Sequence, residues 1–157
     1  RAWPKDRIKV IPGIELTHLA FEQFKLACEF ARNKGIKIIV AHGETLVEPV
    51  LKGTNLAALR SDINILAHPG LISIEEVKYA AKKGVLLELS ARKGHCLGNG
   101  HVVRLASKYG AELCINSDAH SPSDIPTPLL LKNVGLGAGL AAKDLSKLYS
   151  YINTHIR

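Results

Sequence analysis

The residues of this 157-residue chain best suited to chemistry are a carboxylate and an imidazole two positions apart, Asp118 and His120, just past the strand-like run Cys114, Ile115, Asn116. An oxygen and a nitrogen donor at a strand terminus suit hard or borderline divalent cations. The same arrangement recurs upstream. Glu15 follows a run containing Ile8, Val10, Ile11 and Ile14, His42 follows Ile36 to Ala41, and His68 follows Ile63 to Ala67. Strand exits ordinarily carry turn residues such as Gly, Asn or Ser, so four exits carrying ligand-capable side chains form a pattern. Glu15, His42 and His68 together make a set suited to Zn, Mn or Fe with a position left open for water. Taken singly, each has a plainer reading: Glu15 as a turn carboxylate, the two histidines as satisfied residues near the core, and Asp118 as the cap of the next helix.

Other polar residues gather at the same end. Arg92, Lys93, His95 and His101 could bind a phosphate, Arg through its planar fork and Lys as a point charge, or could simply face solvent. Glu44 is a candidate acceptor orienting an imidazole. Glu88 lies inside an apolar strand and must either face a polar mouth or be paired. His18 and His155 read as surface residues.

The elements that must position these groups follow from hydrophobic patterning. Apolar runs of strand length are expected over residues 7–16, 36–41, 63–67, 85–89 and 112–116. Helical patterns fall between them, from about His18 to Asn33, Asn55 to Arg60, Ser73 to a stop at Gly84, and His101 to Tyr109. Ser73 followed by Glu76 is a capping-box signature. A further helix starts at Thr127 and Pro128 and runs through Leu131, a break is expected over Gly135 to Gly139, and a terminal amphipathic helix over Ala142 to about Asn153. Strand and helix alternating at roughly 25-residue spacing predict an α/β fold, a parallel sheet with covering helices whose site gathers at the carboxyl ends of its strands.

Length and composition predict one domain over residues 1–157 with its own core. The odd set Cys28, Cys96 and Cys114 argues against a disulfide framework, and two of the three sit in apolar runs. The net charge of +7 suits an anionic partner, but the Lys and Arg residues are spread singly without interleaved aromatics, which argues against nucleic acid. No secretory leader or membrane-crossing apolar run is evident, so the expected setting is cytoplasmic, without a membrane partner. The chain opens at Arg1 and holds no methionine, so a piece of a longer protein is expected.

At Gly13-Ile14-Glu15, Ala41-His42-Gly43, Ala67-His68-Pro69 and Ser117-Asp118-Ala119-His120, the chain resembles the polymerase and histidinol phosphatase (PHP) domain family. The strings His42-Gly43-Glu44-Thr45, Glu48-Pro49-Val50, Gly53-Thr54-Asn55 and Ala91-Arg92-Lys93-Gly94-His95 are similar to its archaeal histidinol phosphatase-like branch. The resemblance extends from Ile8 to about Leu148. It implies a distorted seven-stranded β/α barrel binding two or three divalent ions, commonly Zn, Mn or Fe, and cleaving phosphoesters with a metal-activated water. Glu15 would then be the bridging carboxylate, His42 and His68 would complete one metal site with it, and Asp118 and His120 would serve the others. From the residues alone, Arg92, Lys93 and His95 are the candidate contacts to a small phosphorylated substrate. The family's opening His-x-His and following motifs have no counterpart here, so the expected barrel is incomplete, represents the C-terminal portion of the domain, and has a parallel edge open to association. Three other readings stand beside a phosphomonoesterase: an enzyme acting on nucleic-acid ends, a non-catalytic scaffold, and an amidohydrolase, the last disfavoured by the lack of a suitably placed strand lysine.

Overall fold

The structure is a computed structural model and describes residues 10–146 and 148. Five strands, β1 (Gly13–Leu16), β2 (Ile38–His42), β3 (Ile65–Ala67), β4 (Leu86–Ser90) and β5 (Leu113–Asn116), pair in parallel in that order in one sheet. Between them run α1 (Gln23–Asn33), α2 (Thr54–Leu59), α3 (Ile74–Lys83) and α4 (Asn99–Tyr109), with α5 (Pro128–Gly137) after β5. Among the described residues, β1 and β5 each pair on one side only, which leaves the parallel edges open.

The predicted α/β alternation holds, with shifts that have local causes. β1 begins after Pro12 and includes Gly13 and Glu15, so Glu15 lies within the strand rather than beyond its end. Ile8 of that predicted strand lies outside the described residues. α1 starts five residues later than its pattern suggested and buries Phe24, Cys28 and Ala31, the i, i+4, i+7 stripe, while Leu26 and Phe30 face solvent. α3 has the expected capping box: Ser73 Oγ accepts from the Glu76 backbone N–H and the Glu76 carboxylate accepts from that of Ser73. α4 starts at Asn99, before His101, because the Asn99 amide exchanges two hydrogen bonds with the Ser90 backbone and ties helix to strand. α5 runs on to Gly137 through the expected break. Gly135 is a site of close approach there, since a Cβ would overlap Leu145 and crowd Ile115. Helical backbone also covers 142–146, while most of the rest of the predicted terminal helix, and His155, lie outside the described residues.

Side chains alternate along the strands and divide the sheet into two faces. On one, Leu16, Ile39, Ala41, Leu66, Leu87, Leu89, Leu113 and Ile115 pack beneath the helices with Phe24, Leu59, Val77 and Val102. Each fully buried leucine there contributes about 1.5–3 kcal/mol relative to exposure. On the other face, Val40, Ile65, Leu86 and Cys114 form a small separate cluster. Cys28 and Cys114 are buried and Cys96 is exposed. Burial pushes the Cys28 and Cys114 thiols up, in keeping with inert core residues.

The sheet curls. Strands lie about 4.8 Å apart, so the edges of a flat five-stranded sheet would be about 19 Å apart. Instead Glu15 of β1 and Asp118 and His120 after β5 line a single cavity of about 160 Å³.

Candidate metal centre

The second sheet face carries the site. Register pairs Glu15 with Val40, His42 with Ala67, and Glu88 with Cys114. The apolar layer of Val40, Ile65, Leu86 and Cys114 therefore lies under a polar layer toward the carboxyl ends. Three residues just beyond strands, His18, His68 and Asp118, have φ of 52°, 32° and 49°. Non-glycine residues in this left-handed region store about 1–3 kcal/mol each and concentrate at functional sites. At His68 the turn brings the ring back over the sheet.

His68 and Glu88 form the buried heart of the site, with side chains 1% and 3% exposed. Glu88 Oε2 accepts from the His68 backbone N–H at 2.9 Å and faces Nδ1 of the same ring at 3.0 Å, while Oε1 accepts from the Asn116 amide at 2.9 Å. This supplies the pairing that Glu88 was expected to need. With Nδ1–H directed at the carboxylate, Nε2 is left as the acceptor nitrogen, and it is buried without a hydrogen-bond partner. A buried unpaired nitrogen is costly, and a histidine anchored on a carboxylate through its other nitrogen is the usual form of a metal ligand.

The His42 ring lies 4.3 Å from that of His68 between centroids. His42 Nδ1 faces the Gly43 carbonyl at 3.0 Å and Nε2 meets Glu48 Oε2 at 3.0 Å. Burial first, and then His68, push the pKa of His42 down. The other oxygen of Glu48 reaches His95 Nε2 at 3.3 Å, and His95 Nδ1 bonds Thr45 Oγ1 at 2.7 Å. His95 was expected among phosphate contacts at the mouth. It is instead buried, its ring 4.3 Å from His68, and its pKa is lowered by burial and then by His68.

At the mouth, Arg92 bonds Asp118 Oδ2 at 2.5 Å and contacts His120 Nδ1 at 2.9 Å. Asp118 does not cap the following segment. The Asp124 carboxylate does so, accepting from the His120 and Ser121 backbone N–H groups. Glu15 shares the cavity with Thr17, His42, Glu48, Arg92, Asp118 and His120, and its pKa is raised, chiefly by desolvation. Lys93 is exposed and does not line this cavity. Glu44 does not orient an imidazole: its carboxylate accepts from the Gly53 and Asn55 backbone N–H groups at the start of α2. His101 turns away and bonds the Ile72 carbonyl. His18 is exposed, as expected, although its ring is 5.5 Å from His42.

As the side chains stand, no group of three or more His, Cys, Asp or Glu residues among those described is arranged to hold a metal ion. The donor chemistry nevertheless fits a cation. Carboxylates and imidazoles converge on one cavity, and the Nε2 atom of His68 is unsatisfied.

No family model matches the chain. It is 41% identical over 141 residues to the uncharacterized protein MJ1295 of Methanocaldococcus jannaschii, a match that takes in 89% of this chain and 65% of that protein. The chain thus spans just under two thirds of that relative. Among solved structures, a chain in archaeal ribonuclease P with mature tRNA superposes with a TM-score of 0.76 at 22% identity, over 95% of this chain and 68% of the other. A. niger ochratoxinase superposes with a TM-score of 0.58 at 19% identity, over 83% of this chain and 32% of the enzyme. These likenesses are of fold.

One participant, Glu48, was given no role by the sequence: it lies six residues past His42 in a loop that carries no strand signal, within the string Glu48-Pro49-Val50. His95 was singled out, but its burial depends on the turn at His95–Gly98 folding under the β2–α2 loop. Among the described residues, no helix is long and apolar enough to cross a membrane.

Proposed function

We propose that this chain belongs to a metal-dependent phosphoesterase of the PHP kind, hydrolysing a small phosphomonoester, with the curved five-stranded sheet forming the greater part of a β/α barrel. The observation that carries this reading is the buried, unpartnered Nε2 of His68, held by Glu88 among strand-end carboxylates and imidazoles. Divalent ions would be held among Glu15, His42, His68, Asp118 and His120. Such ions, when bound, supply Lewis-acid activation of water and charge compensation at phosphorus.

The chain's own residues contribute the rest. Glu88 fixes the orientation of the His68 ring. Arg92 lines the cavity, and its guanidinium, now on Asp118, has the planar fork needed to grip two phosphoryl oxygens. Glu48 bridges two rings, one carboxylate oxygen facing His42 Nε2 and the other His95 Nε2.

The test is elemental analysis for metal, with phosphatase assays alongside, on the chain and on a variant carrying His42→Ala and His68→Ala. Stoichiometric metal and phosphomonoester hydrolysis, both lost in the variant, are expected. Hydrolysis absent from fully metal-loaded protein would refute the reading and leave a non-catalytic module.

A second reading, action on nucleic-acid ends, draws on the fold likeness to a chain of archaeal ribonuclease P with mature tRNA. It requires oligonucleotide binding that weakens steeply with salt.

A further inference from the structure

The resemblance assigns Glu15, His42 and His68 to a common metal site and gives Glu48 no role in it, and the residues alone suggest His95 as a phosphate contact. The geometry points to a different set: we propose that His42, His68 and His95, with Glu48, form a three-histidine, one-carboxylate site for a borderline divalent cation such as zinc. The proposal deepens the metal-dependent reading above and rests on it only in placing a cation in this cluster.

All three rings are anchored in the same way. Nδ1 of His42 faces the Gly43 carbonyl, Nδ1 of His68 faces Glu88 Oε2, and Nδ1 of His95 faces Thr45 Oγ1, at 3.0, 3.0 and 2.7 Å. Three oxygen partners on three Nδ1 atoms leave three Nε2 atoms as the available donors, the arrangement by which outer partners orient ligating histidines. The rings are clustered, His68 lying 4.3 Å from both His42 and His95, which are 6.1 Å apart between centroids.

Glu48 joins the set through the Nε2 atoms themselves. Its two oxygens lie 3.0 Å from His42 Nε2 and 3.3 Å from His95 Nε2. Two donors on a tetrahedral zinc ion, each about 2.05 Å from it, are separated by about 3.3 Å, so a cation needs side-chain adjustments but no refolding of the loop from the present arrangement, in which the described residues enclose no metal position.

A purely hydrogen-bonded cluster leaves two faults. His42 has an oxygen acceptor at each ring nitrogen, and a neutral ring has a proton for only one of them. His68 Nε2, buried in the same cluster, has no partner at all. A cation on the Nε2 side resolves both, taking the lone pair of each ring while every Nδ1–H keeps its oxygen. Glu48 sits on a loop with its side chain 36% exposed, so it has room to withdraw from between the rings. The ligands come from the exits of β2, β3 and β4, so the site needs neither edge of the sheet. In that it differs from the Glu15 set, which draws on edge strand β1.

The test is a cobalt(II) titration of the whole chain followed by visible absorption, with zinc competition, on wild type and on His95→Ala, Glu48→Gln and Glu15→Gln. One equivalent of cobalt with the intense bands of a four-coordinate ion is expected for wild type. His95→Ala and Glu48→Gln should each weaken binding at least about ten-fold and alter the bands, with Glu15→Gln much closer to wild type. His95→Gln, checked by circular dichroism, replaces His95→Ala should the latter fail to fold. Cobalt binding that depends on Glu15 and is indifferent to His95 and Glu48 overturns the proposal, as does a wild-type chain that takes up no cobalt. Hydrolysis of p-nitrophenyl phosphate, measured in parallel, separates the two ideas. Activity with a His95-indifferent site sinks this ligand set and keeps the phosphoesterase, whereas a His95-dependent site without activity does the reverse.

Discussion

Replacing Glu88 with glutamine tests the centre of this structure most directly. The carboxylate, 3% exposed, receives the His68 backbone N–H and His68 Nδ1 on one oxygen and the Asn116 amide on the other, at 2.9, 3.0 and 2.9 Å. Hydrogen bonds to a charged group contribute about 1.5–3 kcal/mol each and neutral ones about 0.5–1.5, so three bonds lose about 3 kcal/mol together. The neutral amide is cheaper to bury than the carboxylate, which returns part of this and leaves a net loss of about 1–3 kcal/mol. Glutamine offers one acceptor oxygen. If that oxygen keeps His68, the new NH₂ faces the Asn116 NH₂, and Asn116 must flip and give up its contact with the Cys114 sulfur. The assay is urea unfolding of wild type, Glu88→Gln, His68→Ala and the double variant, with zinc affinity measured on the first two. A coupling energy near 1 kcal/mol or more is expected, with zinc affinity lowered about 10–100-fold. Additive single effects with unchanged zinc affinity would show that Glu88 does not position His68 and that the site lacks this anchor.

Three further outcomes are expected. Gly70→Ala should destabilise by about 1–3 kcal/mol or more, read as a fall in Tm, because Gly70 has φ +59° and a Cβ would overlap the Glu44 carbonyl oxygen in the loop after β2. Ser73→Ala should cost about 1 kcal/mol in urea denaturation by opening one half of the α3 capping box. His42 and His95 lie below their ordinary value of 6.5 because burial disfavours the charged rings. The unfolded chain therefore takes up protons first as pH falls. The contribution of these rings to stability should be full above about pH 6.5 and lost as pH drops through their folded values, giving a urea midpoint that falls with acidification. A variant carrying His42→Asn and His95→Asn should show a shallower pH dependence between about pH 7.5 and pH 5, and an unchanged slope would refute the assignment.

Much of the scaffold was legible in one dimension because its causes are local. Apolar runs of strand length between helical patterns mark the five parallel strands and four of the covering helices, and Ser73 with Glu76 marks the start of α3 to the residue. The residues placed at strand exits, Glu15, His42, His68, Asp118 and His120, do lie at one end of the sheet, since parallel strands all present their carboxyl ends to the same side. Tertiary structure alone decided how these groups are shared out. Glu88 became the anchor of His68, Arg92 took Asp118, Glu48 came to lie between His42 and His95, and Glu44 went to the α2 backbone. Partner choice among polar side chains depends on sheet curvature and on loops packing across one another, which bring together residues from 6 to 47 positions apart in ways that spacing along the chain does not encode.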